Sequence, residues 1–160
     1  MKARVVLLAL MLAGTAQAED LHALWDGQCG GCHGHAGPFA RESLEIRNDI
    51  LVGKTSHQPV AEYLVTHNGG YGPDQIAALR SMLAAQVQAG PEFQIHCGGC
   101  HDTAAQVLRD WVRVQDGKLI GRQSGQELTL FLSRHGGADA ESRARIIQSL
   151  TRVADELNHR

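Results

Sequence analysis

The feature that most constrains this chain is a pentapeptide written twice, Cys29-Gly30-Gly31-Cys32-His33 and Cys97-Gly98-Gly99-Cys100-His101, 68 residues apart. The two copies hold all 4 cysteines, so none remains for a disulfide or a separate catalytic thiol. The same shift aligns Cys29–His67 with Cys97–His135 without a gap. Ala36, Arg41, Leu51, Gly53, Ser56, Gln58, Leu64 and His67 meet Ala104, Arg109, Leu119, Gly121, Ser124, Gln126, Leu132 and His135. A duplicated unit is the expectation. The chain divides into a leader over 1–18, a first unit over 19–88 and a second over 89–160, with a short connector at Ala89-Gly90-Pro91.

C-x-x-C-H is the attachment signature of c-type haem. Its two cysteines add to the porphyrin vinyl groups, and the adjacent histidine is too close in the chain to reach the iron from any but the same side. Cys29, Cys32, Cys97 and Cys100 are therefore the expected covalent attachment points for two haem c groups, and His33 and His101 the expected first iron ligands. A thioredoxin-like redox site needs one C-x-x-C in a strand-to-helix setting. A zinc site built from two C-x-x-C pairs has compatible spacing, but it leaves the histidine after each pair unexplained.

The leader carries Lys2 and Arg4, an apolar run from Val5 to Leu12, and Ala16-Gln17-Ala18. This is the pattern of a cleavable secretory signal, with cleavage expected after Ala18. The apolar run is too short to span a bilayer, so no stable membrane insertion is expected. Export to the periplasm agrees with the attachment motifs, because haem is joined to such motifs outside the cytoplasm. Without the leader, 13 basic side chains face 17 acidic ones. A net charge of about −4 argues against nucleic acid and against an anionic lipid surface as partners. Each unit has only about 70 residues, near the size at which a core alone is marginal, and two buried porphyrins would enlarge it.

Helical periodicity dominates, no convincing strand stands out, and an all-α fold is expected. A first helix from about Asp20 to Gln28 brings Trp25 one turn before Cys29, and Phe93 takes the same place before Cys97. After a variable loop, Ser56-His57-Gln58-Pro59 and Ser124-Gly125-Gln126-Glu127 read as helix starts, the latter as a capping box. Both helices are expected to end at a histidine followed by glycines. A third helix begins near Pro73 with Ile76, Leu79 and Leu83 on one face, and Ile146, Leu150, Val153 and Leu157 mark its counterpart.

The second iron ligand follows from the repeat. Beyond the leader the chain has one methionine, Met82, and the second unit has none, so methionine cannot serve both sites. His67 and His135 each lie 34 residues after the histidine of their motif. Each precedes a glycine-rich turn that lets backbone pass close to a flat group. Bis-histidine ligation, His33 with His67 and His101 with His135, is the expectation, against the simpler reading of His67 and His135 as helix C-caps. His22, His35, His57, His96 and His159 do not recur. Arg41 and Arg109 are candidates to pair with haem propionates, since a guanidinium fork suits a carboxylate; an exposed helix charge is the alternative.

On these residues the chain resembles the c-type cytochrome superfamily, as two tandem small cytochrome c-like haem domains. The resemblance implies a helix leading into each C-x-x-C-H, a loop around the porphyrin and a C-terminal helix packed on the first. The missing methionine departs from the usual pattern and implies a lower potential. The function implied is a soluble periplasmic dihaem electron carrier, or the electron-transfer subunit of a larger redox complex, exchanging single electrons with donor and acceptor proteins. The alternative is a dihaem oxidoreductase, a peroxidase or an enzyme of small sulfur or nitrogen compounds, in which one iron opens its distal side. His35, His57 and the Asn68-Gly69-Gly70-Tyr71 loop make the first unit the better placed for that. No catalytic constellation is evident.

Overall fold

The computed structural model describes residues 19–158; the expected leader and its expected cleavage site lie outside them, as does His159. The two sequence halves build closely similar successions of elements, except that the short helix at Gly30–His33 is a turn at 98–100 in the second. The first runs α1 (Leu21–Gln28), α2 (Gly30–His33), α3 (Ala36–Ser43), β1 (Leu44–Arg47), β2 (Ile50–Gly53), α4 (Val60–Leu64) and α5 (Pro73–Gln88). The second runs α6 (Glu92–Cys97), α7 (Ala104–Trp111), β3 (Val112–Gln115), β4 (Lys118–Gly121), α8 (Leu128–Leu132) and α9 (Ala140–Glu156).

The expectation of an all-α fold is overturned. Each half carries an antiparallel hairpin, β1 with β2 and β3 with β4. The hairpins occupy what reads in sequence as a variable loop. Their turns are two residues long, Asn48-Asp49 and Asp116-Gly117, and all four residues have positive φ, from 50° to 73°. That is the turn geometry whose twist matches paired strands, and Asn, Asp and Gly are the residues that tolerate it. Asp-Gly between Val112-Arg113-Val114 and Leu119-Ile120 is a hairpin signal of the usual kind; a helical reading passes over it because each strand has only four residues.

The long helices start where side chains satisfy their first amides. Asp20 accepts from the Ala23 N–H at 2.8 Å and Asp139 from the Ser142 N–H at 2.8 Å, while Pro73 opens α5. α4 and α8 are short. They begin at Val60 and Leu128, after the Ser-x-Gln segments rather than with them. Ser56 and Ser124 accept from the amides of Gln58 and Gln126 at 3.3 and 3.2 Å, and Gly53 and Gly121 donate to the carbonyls of those glutamines. The expected capping box is thus a turn closing the hairpin onto the next helix, because the backbone there already has partners.

Two apolar clusters form. Leu21, Trp25, Ala40, Leu79, Met82 and Leu83 centre the first, and Leu108, Leu119, Leu132, Ile146, Leu150 and Val153 the second. Each large side chain so buried contributes about 1.5–3 kcal/mol. α3 packs on α5, and α7 on α9, so each long C-terminal helix backs the segment that follows its C-x-x-C-H turn.

The halves meet through polar contacts. Arg109 grips the Asp20 carboxylate with two N–H donors at 3.0 Å each. His22 lies 2.7 Å from Glu156, both with side chains 11% exposed. His35 lies 3.3 Å from Asp102. Among the described residues no helix is long and apolar enough to cross a membrane.

Candidate functional site

One turn of helix places each histidine of the pentapeptides. The amides of Cys32 and His33 donate to the Cys29 carbonyl at 3.1 and 3.0 Å, and those of Cys100 and His101 to the Cys97 carbonyl at 3.1 and 2.9 Å. Cysteines three apart in such a turn are neighbours along its surface. In the first half Trp25 stabilises this turn directly. Its indole N–H donates to the Gly34 carbonyl at 2.8 Å, and its ring lies 6.2 Å from that of His33. Phe39, from α3, packs 4.6 Å from the same imidazole.

The second histidines arrive from the far side of each half. α4 and α8 end at Leu64 and Leu132, so His67 and His135 sit in the following loops rather than in the last helical turn. Tyr63 stacks on His67 with ring centres 4.4 Å apart, and Phe131 lies 4.7 Å from His135. Both histidines are thereby aimed at the first histidine of their half. His33 and His67 have ring centres 6.0 Å apart, with planes inclined by 51°. His101 and His135 repeat this at 6.1 Å and 54°.

Each pair opens onto a cleft. The first, about 410 Å³, is lined by Trp25, Cys29, His33, Tyr63, Leu64 and His67 among others. The second, about 320 Å³, includes Phe93, Cys97, His101, Phe131, Leu132 and His135. Of the eight residues singled out from sequence, six therefore line the clefts: Cys29, His33 and His67 in one, Cys97, His101 and His135 in the other. Cys32 and Cys100 are exposed and line neither. Burial pushes the Cys29 thiol up, partly offset by the Tyr71 hydroxyl, and burial also pushes up that of Cys97.

Other residues fall elsewhere. Met82 is 1% exposed inside the first core and does not line the cleft. Arg41 and Arg109 line neither cleft. Arg109 is held by Asp20, and Arg41 borders a cavity of about 70 Å³ at the junction with His22, His35 and Asp102. His57 sits 3.8 Å from Glu45 and does not line the cleft.

Polar side chains also edge both clefts. Thr55, Ser56 and Gln58 line the first cleft, and Gln123 and Ser124 the second. Recurrence of Ser56 and Gln58 at the 68-residue shift was the available signal. The same turn explains Gly53 and Gly121: a Cβ at either would lie 2.5 Å from the hydroxyl of Ser56 or Ser124.

Among the described residues, no group of three or more His, Cys, Asp or Glu side chains is arranged to hold a metal ion. The geometry offers two opposed imidazoles per cleft, suited to a metal that brings its remaining ligands with it. No protein-family model, curated protein or solved structure matches the chain.

Proposed function

We propose that this chain is a dihaem c-type cytochrome, a periplasmic carrier that passes single electrons between redox proteins. A haem c in each cleft would supply reversible one-electron chemistry at its iron. The observation that carries the reading is the matched pair of imidazoles beside each C-x-x-C. Two imidazoles bound to one metal from opposite sides, through bonds of about 2 Å, hold their ring centres roughly 6 Å apart. Both pairs have that separation. A tilted pair of rings in direct contact spans a similar range, but such contact needs no cavity beside it, and both pairs here border one.

The residues of each cleft divide the work. Cys29 with Cys32, and Cys97 with Cys100, would tether the group by thioether bonds. His33 and His101 would hold the iron from one side, His67 and His135 from the other. The apolar walls, from Trp25 and Leu64 in one half and Phe93 and Leu132 in the other, exclude water, and the Ser56 and Ser124 turns place polar atoms at a rim where propionates can remain solvated. Two histidines per cleft would hold such a group without a change of ligand on reduction, which suits a carrier.

His35 and Asp102, immediately beyond the two C-x-x-C-H turns, meet at 3.3 Å. The two attachment segments therefore lie next to each other, which supports electron exchange between the halves. The leader supports export to the periplasm, and the acidic balance favours donor and acceptor proteins with basic docking patches. A place as the electron-transfer subunit of a larger redox complex fits the same features.

The test is to produce the full chain in a host that matures c-type cytochromes and to follow a redox titration by absorbance. Two covalent haems, low-spin when ferric and without a near-infrared methionine-to-iron band, are expected. A product with no attached haem, or one with a methionine ligand, overturns the reading.

A further inference from the structure

The two halves hold their second histidines differently. After His67 the chain forms a 3-10 turn over His67–Gly69, and side chains pin it. Asn68 Nδ2 donates to the Gln28 carbonyl at 3.0 Å and to the Tyr71 hydroxyl at 3.2 Å. Tyr71 packs on the first core, with its hydroxyl 3.8 Å from the Cys29 sulfur. The loop that carries His67 is thereby tied to the start of the segment that carries His33.

Gly136 and Asp139 stand at the same register in the second half. Gly136 has no side chain to donate, and the Asp139 carboxylate is engaged as the cap of α9. His135 is followed by Gly136 and Gly137 at φ 82° and 64°, in bends rather than a helical turn. It is exposed where His67 is half-buried. The next firm tie is Ala138, 8% exposed, whose carbonyl accepts from Arg143 at 2.7 Å. A two-glycine hinge therefore separates His135 from the anchored chain.

We propose that the second cleft is an exchangeable ligand site: His135 swings out on Gly136-Gly137 and admits a small uncharged ligand of the carbon monoxide class, while His67 keeps the first cleft closed to it. The inference rests on reading both clefts as bis-histidine haem sites. The bond to be broken is the same in both halves, so the surroundings decide. Releasing His67 strains or breaks the two Asn68 hydrogen bonds, whereas releasing His135 breaks no side-chain tie and frees two glycines, the residues that gain most backbone freedom. A ligand that binds only the open form has its apparent affinity reduced by the fraction of protein that is open. The second half should pay less of that reduction. Phe131 and Leu132 beside His135 favour an uncharged ligand, because a charged one loses its hydration there.

Carbon monoxide itself is the probe, added to the dithionite-reduced holoprotein and followed in the Soret band. One haem of the two is expected to bind it in a measurable phase. That phase should persist in His67→Ala, beside a new fast phase, and be replaced by a fast one in His135→Ala. Asn68→Gly with Tyr71→Phe should raise uptake at the first haem about tenfold, the weight of two modest hydrogen bonds, without altering the second. Hydrogen exchange of the holoprotein should be faster over 134–137 than over 66–70. No uptake by a protein with two bis-histidine haems, equal uptake by both, or a phase lost in His67→Ala and kept in His135→Ala would overturn the inference and leave the electron-carrier reading standing. A preparation lacking haem or bis-histidine ligation overturns that reading itself, and this inference with it.

Discussion

His101 and His135 both line the second cleft with ring centres 6.1 Å apart, although 34 residues, a hairpin and two helices separate them in the chain. His33 and His67 reproduce the arrangement at 6.0 Å. Two segments must be brought from opposite sides of a half to achieve this, and α5 and α9 provide the common backing on which both are built.

Truncating either second histidine should convert one haem and spare the other. On the proposed ligation, His135→Ala should leave the second haem five-coordinate and high-spin while Cys97 and Cys100 keep it attached. His67→Ala does the same to the first. Electron paramagnetic resonance of the ferric protein should show about half of the iron high-spin in each case. A wholly low-spin signal would rule out the axial assignment for that half.

Trp25 contributes a hydrogen bond as well as apolar bulk. Trp25→Phe removes the indole donor to Gly34 and should cost about 1 kcal/mol, plus some loss of packing. Phe93 stands at the matching place in the second half, which has no such bond to lose. Denaturant unfolding followed at the two haems, each identified through its axial-histidine variant, should show the first half destabilised and the second unchanged.

Gly70 cannot be replaced freely. It has φ 85° and ψ 157°, a region essentially confined to glycine, and a Cβ there would sit 2.6 Å from the Val65 carbonyl oxygen. Gly70→Ala should cost on the order of 1–3 kcal/mol and loosen the loop that carries His67. Thermal melts and the ligand spectrum of the first haem report both effects. Ala138, at the same register in the second half, is already non-glycine because the chain there takes a different path.

Asp139 gives α9 an acid-sensitive start. The Ser142 N–H, donating to its carboxylate, holds that carboxyl below the usual aspartate range. A group whose folded pKa is depressed contributes its stabilisation above its unfolded pKa and loses it as pH falls through the folded value. Melting temperatures should therefore drop on that acid limb. Asp139→Asn keeps a capping side chain and should flatten this contribution, and Asp139→Ala should lower stability at every pH. An acid limb identical in Asp139→Asn and the natural chain would contradict the assignment.

The long helices were legible because their apolar spacing and capping residues are local signals. Asp20, Pro73 and the Ile146-Leu150-Val153 stripe mark them in the sequence. The hairpins were less legible. Four-residue strands carry too few alternations to compete with a helical reading, and only Asn48-Asp49 and Asp116-Gly117 betray them. Arg41 and Arg109 lie off the clefts, which their recurrence does not indicate, because recurrence in a repeat marks any position under a shared constraint. Their surroundings at the junction, including the Asp20 carboxylate that holds Arg109, belong to no local pattern.

The amino-acid order alone determined the duplicated unit, the paired cysteines and which histidines recur beside them, since these are matters of identity and spacing along one chain. The tertiary structure decided that His67 meets His33 and His135 meets His101, that Cys29 and Cys97 are the sheltered cysteines, and that the Asn68-Gly69-Gly70-Tyr71 loop is tied to Gln28 and Cys29. Those outcomes depend on hydrogen bonds and contacts between segments remote in sequence, such as Asn68 to Gln28 and Tyr71 to Cys29, and such pairings exist only once the chain has folded back on itself.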